Sequence, residues 1–173
     1  MSSALVAAVS LLAAQGYHPK GPKIEVELTG HRTFIISTDT KGSPKTVKGI
    51  LKLVREGFYD GQRFHRVEDW VVQWGDPQSR TLPMGDSRLG TQGSGHPLTF
   101  EAPGASFLRG VVGIASTGSG VGGDSQLFVL TKDESRLDGH YAVLGKVTSG
   151  MKVVDSIQIG DKIERMWVVG GRR

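Results

Sequence analysis

The chain has 173 residues, 38% of them apolar and 22% charged, enough to bury the core of one domain without covalent staples. Cysteine is absent, which excludes a disulfide framework, a thiol nucleophile and any cysteine-ligated zinc or iron–sulfur centre. Lys and Arg number 21 against 17 Asp and Glu, a formal charge of +4, and the basic residues are scattered, so no nucleic-acid partner is expected.

Ala4 to Ala14 is apolar except for Ser10. It falls short of the roughly 20 residues that a bilayer crossing needs, so no stable membrane span is expected. Its small apolar residues suit a secretory signal, yet the first basic residue is Lys20, so a short helix or an unstructured leader stays open beside it. Cytoplasmic and exported locations both stay open with it. Gly16 to Pro22 reads as a linker. Residues 1–22 are therefore expected to be leader and linker, and residues 23–173 the folded domain.

Ile24 to Leu28 alternates apolar and polar residues and reads as a half-buried strand. Thr33 to Ser37 pairs with it as a hairpin across Thr29–Arg32. Ser43-Pro44 opens a helix, with Ser43 expected to cap it through its side-chain oxygen. Val47, Ile50, Leu51 and Val54 give that helix one apolar face, and Gly57 ends it. Short strand-like runs follow at Arg63–Val67, Val71–Trp74, Pro97–Phe100, Val111–Ser116, Gln126–Leu130, Ala142–Val147 and Ile163–Val169, with a second short helix over Ser149–Ile157. Many short strands with only two helices point to a mainly β protein, a closed antiparallel β-barrel. Asp76 to His96 has little periodicity, and loops of that length are often functional.

Gly118 to Gly123 matches Gly-x-Gly-x-x-Gly in letters only. A dinucleotide site needs a helix next, and the strand-like Gln126–Leu130 follows instead. Gly145-Lys146-Val147 lacks the upstream glycine and the Ser or Thr of a phosphate-binding loop. No Gly-x-Ser-x-Gly elbow occurs, and the five His lack the paired spacing of a zinc site, so neither metal nor cofactor is expected.

Five blocks do belong together: Phe64-His65-Arg66-Val67, Gln73-Trp74-Gly75-Asp76-Pro77, Gly113-Ile114-Ala115-Ser116, Ser125-Gln126-Leu127-Phe128, and Leu137 to Val147. In order, spacing and wording they resemble the cyclophilin family of peptidyl-prolyl cis–trans isomerases over roughly Ile24 to Val169. The resemblance implies a closed eight-stranded antiparallel barrel capped by two helices. It implies rotation about Xaa-Pro bonds without any cofactor, on proline-containing peptides and on unfolded or folding proteins. A monomer is expected, since no oligomerisation seam is visible.

The same resemblance gives the site. Arg66 is the cation that favours the twisted imide, and Gln73 is the glutamine that steadies it and bonds the substrate backbone. Phe64, Trp70, Val71, Ala115, Ser116, Gln126, Phe128, Leu137 and Tyr141 are implied as substrate-binding residues. Among them Phe128 is the floor of the proline pocket, Leu137 and Tyr141 its far wall, and Gln126 a residue of the neighbouring groove. His65 lies next to Arg66, and strand alternation turns it to the opposite face, so it reads as structural. The chain also departs from the family pattern. One residue is missing between Arg66 and Gln73, which puts the orientation of Trp70 in question. Arg136 stands where many members have a Trp that matters for cyclosporin, and Tyr141 where many have His. These departures keep a second reading open, a module that binds proline-containing peptides with little turnover.

Overall fold

A computed structural model describes residues 16–171, and the apolar segment at 4–14 lies outside them. The strands are β1 (Lys23–Leu28), β2 (Arg32–Thr38), β3 (Arg66–Glu68), β4 (Val71–Trp74), β5 (Val111–Ile114), β6 (Leu127–Leu130), β7 (Val143–Ser149) and β8 (Ile163–Val168). Helix α1 (Pro44–Arg55) follows β2, and helix α2 (Met151–Asp155) follows β7. The strands form one antiparallel sheet in the order β3-β4-β6-β5-β7-β2-β1-β8.

The closed barrel expected from the sequence is not formed. The sheet is an open, curled half-barrel whose first and last strands, β3 and β8, share no ladder. The reason lies in the run Arg63–Val67, which is extended but does not pair as one strand. Only Arg63 bridges Lys162, while Gly61, Gln62 and Phe64 reach residues 160–163 through irregular backbone bonds of 2.8–3.0 Å. Regular pairing begins at Arg66 and lasts three residues, too few to form a ladder with β8. The expected strand at Pro97–Phe100 is likewise reduced to one bridge, Leu98 to Gly123.

Helix α1 buries Val47, Ile50, Leu51 and Val54, the face marked by their spacing. Its C-terminus is closed by Gly57 at φ +68°, with Gly57 N–H donating to Val54 and Phe58 N–H to Leu53, a Schellman arrangement that needs the left-handed conformation glycine tolerates. The N-terminus departs from expectation. Ser43 makes no side-chain cap. Instead the Glu101 carboxylate accepts from the N–H groups of Lys45 (3.0 Å) and Thr46 (2.7 Å). A charged acceptor brought from a distant loop thus satisfies the first turn, where negative charge also suits the helix dipole.

The central strands are buried on both faces, and their alternation separates two apolar clusters. Val72, Trp74, Val112, Ile114, Leu127, Val129 and Leu144 point into the main core with α1, β1 and β2. Val71, Val111, Phe128, Leu130 and Val143 point to the other face, where they pack with Phe107 under the 131–141 connection. That second cluster positions the site. Residues 16–22 carry no regular structure and dock at the end of β2, with Tyr17 Oη donating to Asp39 (2.8 Å) and Gly21 N–H to Thr38 (2.8 Å).

Candidate active site

One row of cross-strand partners builds the centre of the site. Arg66 on β3 lies opposite Gln73 on β4, Gln73 opposite Phe128 on β6, and Phe128 opposite Gly113 on β5. Directly opposed residues share a face, so the register alone delivers a cation, an amide and an aromatic ring to one surface. Gly113 is required beneath the ring, because a Cβ there would lie 2.7 Å from Phe128 Cε1. Phe107 stacks on Phe128 (5.8 Å between centroids), and Tyr141 meets it edge-on (6.0 Å), fixing the floor.

Above this floor lies a cavity of about 160 Å³ lined by Arg66, Trp70, Val71, Gln73, Ala115, Ser116, Phe128, Leu137 and Tyr141. One of the residues named from sequence falls elsewhere. Phe64 is fully buried in the main core, its ring 5.2 Å from that of Trp74, and it does not reach the cavity. It has the same parity as Arg66, but residues 64 and 65 precede the regular strand, so parity does not carry its side chain to the site face. Gln126 lines a neighbouring cleft of about 410 Å³, together with Gln92, Leu98 and Val121; Gln73, Ala115 and Ser116 border both spaces.

A chain of amides connects the two. Arg66 Nη1 donates to Gln73 Oε1 (3.2 Å), Gln73 Nε2 to Gln126 Oε1 (2.8 Å), and Gln126 Nε2 to the Gln92 carbonyl (2.8 Å). Gln92 is held by the long loop after β4, which the buried Asp76 carboxylate folds back by accepting from the N–H groups of Gln78, Gly90 and Gln92. His65 sits against the same loop, since a Cβ on Gly90 would lie 3.6 Å from its Nε2. Burial lowers its pKa, which keeps the ring neutral at pH 7.

The missing residue between Arg66 and Gln73 is absorbed by a two-residue turn, Asp69-Trp70, that closes β3 and β4 with Glu68 opposite Val71. Trp70 and Val71 both face the cavity. Glu68 is not marked by any family block. Its spacing of two from Arg66 is the signal that could have found it, because on a strand that spacing gives one face. Its Oε1 accepts from Arg66 Nε (2.7 Å) and its Oε2 from Trp70 Nε1 (2.9 Å).

The sequence profile described as cyclophilin type peptidyl-prolyl cis-trans isomerase/CLD matches residues 23–170. The chain belongs to the cyclophilin family. Among curated cyclophilin relatives, the peptidyl-prolyl cis-trans isomerase B of Bacillus subtilis is 34% identical over 151 residues, covering 87% of this chain and 93% of that protein. A probable peptidyl-prolyl cis-trans isomerase of Brucella abortus is 42% identical over 126 residues, covering 70% of this chain; the match spans 64% of the length of that relative. Among solved structures, a Cryptosporidium parvum cyclophilin type peptidyl-prolyl cis-trans isomerase superposes with a TM-score of 0.70 at 18% identity, over 87% of this chain and 99% of that one. That likeness gives the cyclophilin fold: eight antiparallel strands with two helices.

Proposed function

We propose that this cyclophilin is a peptidyl-prolyl cis–trans isomerase that accelerates rotation about Xaa-Pro bonds in peptides and in folding proteins. The observation that carries the reading is the cavity floored by the Phe128 ring, with a guanidinium fixed at its rim by Gln73.

The chemistry asks for no bond to be made or broken. Amide resonance sets a barrier of ~18–20 kcal/mol to rotation, and uncatalysed exchange takes on the order of tens to hundreds of seconds. As the bond twists, the imide nitrogen becomes pyramidal and regains its lone pair. A donor aimed at that nitrogen binds the twisted state more strongly than the planar one, and only such a difference speeds the reaction. A ten-thousandfold gain needs about 5.5 kcal/mol. Arg66 suits this role because its fork is rigid and always charged. Phe128, Val71, Leu137 and Tyr141 would hold the proline ring, Trp70 the rim, and Gln73 with the Ala115–Ser116 backbone the extended chain. Gln126 would meet the residue before the proline in the second cleft. Residues 23–173 would form the isomerase domain, following the leader and linker at 1–22. A related Cryptosporidium parvum structure was determined in the presence of the dipeptide Ala-Pro, which supports proline-containing peptides as the ligand class.

The second reading is a binding module with little turnover, favoured by one observation: the Glu68 carboxylate, 2.7 Å from Arg66 Nε, offsets the charge on the guanidinium. Exchange spectroscopy on an Ala-Pro peptide separates the two. Catalysed cis–trans exchange at substoichiometric protein supports the isomerase, whereas peptide shifts without faster exchange support the module.

A further inference from the structure

Glu68, the last residue of β3 before the Asp69-Trp70 turn, has no role in the isomerase scheme above. Glu68 does not line the cavity, yet its two oxygens hold two residues that do, Arg66 (2.7 Å) and Trp70 (2.9 Å). The Arg66 guanidinium is thereby anchored on opposite sides, by Glu68 at Nε and by Gln73 at Nη1. Two anchors fix both the plane of the group and its rotation about the Cδ–Nε bond. Nη2 has no hydrogen-bond partner among the described residues, so the free end of the fork is the end left for a ligand. Trp70 is held the same way. Its indole N–H is tied to Glu68, while Arg66 (5.1 Å from Cζ to centroid) and Arg136 (4.6 Å) both lie over its ring.

The turn itself does little to hold this arrangement. Two-residue hairpin loops favour left-handed backbone at one or both positions, yet neither Asp69 nor Trp70 has a positive φ. Thr131 holds the Asp69-Trp70 backbone and Lys132 the Asp69 carboxylate, while the Trp70 ring rests on the second apolar cluster. That apolar contact leaves the ring's polar edge to be oriented by Glu68 and the two arginines.

We propose that Glu68 is a positioning residue: a single carboxylate that clamps the guanidinium of Arg66 and the indole of Trp70 in the orientation the proline pocket requires. This rests on the isomerase reading above. The clamp also explains how the pocket keeps its rim although the segment between Arg66 and Gln73 is one residue short. Arg66 and Arg136 are the cations that face Glu68, and Asp69 is the neighbouring acid. The Arg66 hydrogen bond is the main cause that holds the Glu68 carboxyl below its ordinary pKa, so the clamp is charged at neutral pH.

The test combines kinetics with a spectroscopic signature on the full chain. Glu68→Ala and Glu68→Gln are compared with wild type in peptide isomerisation, alone and in an Arg66→Lys background. The Trp70 indole N–H and Arg66 Nε–H resonances are followed by NMR. The expected result is a loss of about ten- to a hundredfold in kcat/KM for Glu68→Ala, the range that misplacing a catalytic group produces. Glu68→Gln, which keeps one acceptor, should lose less. The loss should nearly vanish in the Arg66→Lys background, and both resonances should shift with unchanged Tm. Activity within twofold of wild type, a rise in activity, or an equal loss in the Arg66→Lys background would overturn the proposal. If wild type itself shows no turnover, the isomerase reading fails, and the two resonances alone decide the clamp: shifted, it stands; unshifted, it falls.

Discussion

Gln73 and Gln126 are joined by a 2.8 Å hydrogen bond between their side chains, and both are nine-tenths buried. This bond ties the cavity above Phe128 to the second cleft. Gln73 spends its amide nitrogen on Gln126 and its amide oxygen on Arg66, so one side chain orients the groups on both sides of it.

Gln73→Ala should therefore act in both places. Arg66 keeps only its Glu68 anchor, and Gln126 Oε1 is left buried without a donor, which costs about 1–3 kcal/mol. The expected outcome is a fall in kcat/KM of about ten- to a hundredfold with a measurable drop in the denaturation midpoint. Peptide kinetics beside urea unfolding checks it.

Gly113→Ala tests the floor without touching any polar group. The added methyl would meet the Phe128 ring, which is packed between Phe107 and Tyr141 and has little room to give. Overpacking of this kind costs about 1–3 kcal/mol. The ring should be displaced into the cavity, raising KM for Xaa-Pro peptides more than it lowers kcat. A variant with unchanged KM would show that Phe128 is not the floor.

Glu101 gives a stability prediction with a definite sign. Burial alone would raise its carboxyl, but the N–H groups of Thr46 and Lys45 outweigh it and hold the pKa below the ordinary value. A depressed folded-state pKa contributes stability that is present above the unfolded-state value and is lost as pH falls through the folded one. Glu101→Gln should cost about 1 kcal/mol at pH 7, the usual worth of a helix cap. The gap from wild type should close as the solution is acidified below the carboxylate range. Urea titrations at neutral and acid pH measure it.

Local signals in the sequence carried most of the fold. Alternation gave the β1–β2 hairpin, the 3–4 spacing gave α1, and Gly57 marked its end, because each depends on residues close together in the chain. The Ser43 cap failed because its competitor, Glu101, lies 55 residues from the Thr46 N–H that it accepts from, and no local pattern records it. Barrel closure failed for a related reason: the number of strands does not say whether the first and last meet, and here β3 is three residues long. Of the site, the register row Arg66, Gln73 and Phe128 was visible only through the family blocks. Phe64 was named from a family block, and adjacency to Arg66 in that block does not say that its ring turns into the main core before the regular strand begins. Glu68 went unmarked because a lone Glu in a shortened turn looks like any solvated charge until its two partners are seen.

The central claim is that Arg66 acts on the twisting imide, and the most direct measurement is isomerisation of a short Xaa-Pro peptide by wild type beside Arg66→Ala, with thermal unfolding of both. Arg66 is partly exposed and lies outside both apolar clusters, so its removal should leave Tm nearly unchanged. The account predicts rapid exchange in wild type and a loss of at least about a hundredfold in the variant, the cost of removing one donor aimed at a transition state. Equal rates in the two proteins, with both folded and both binding the peptide, would contradict it.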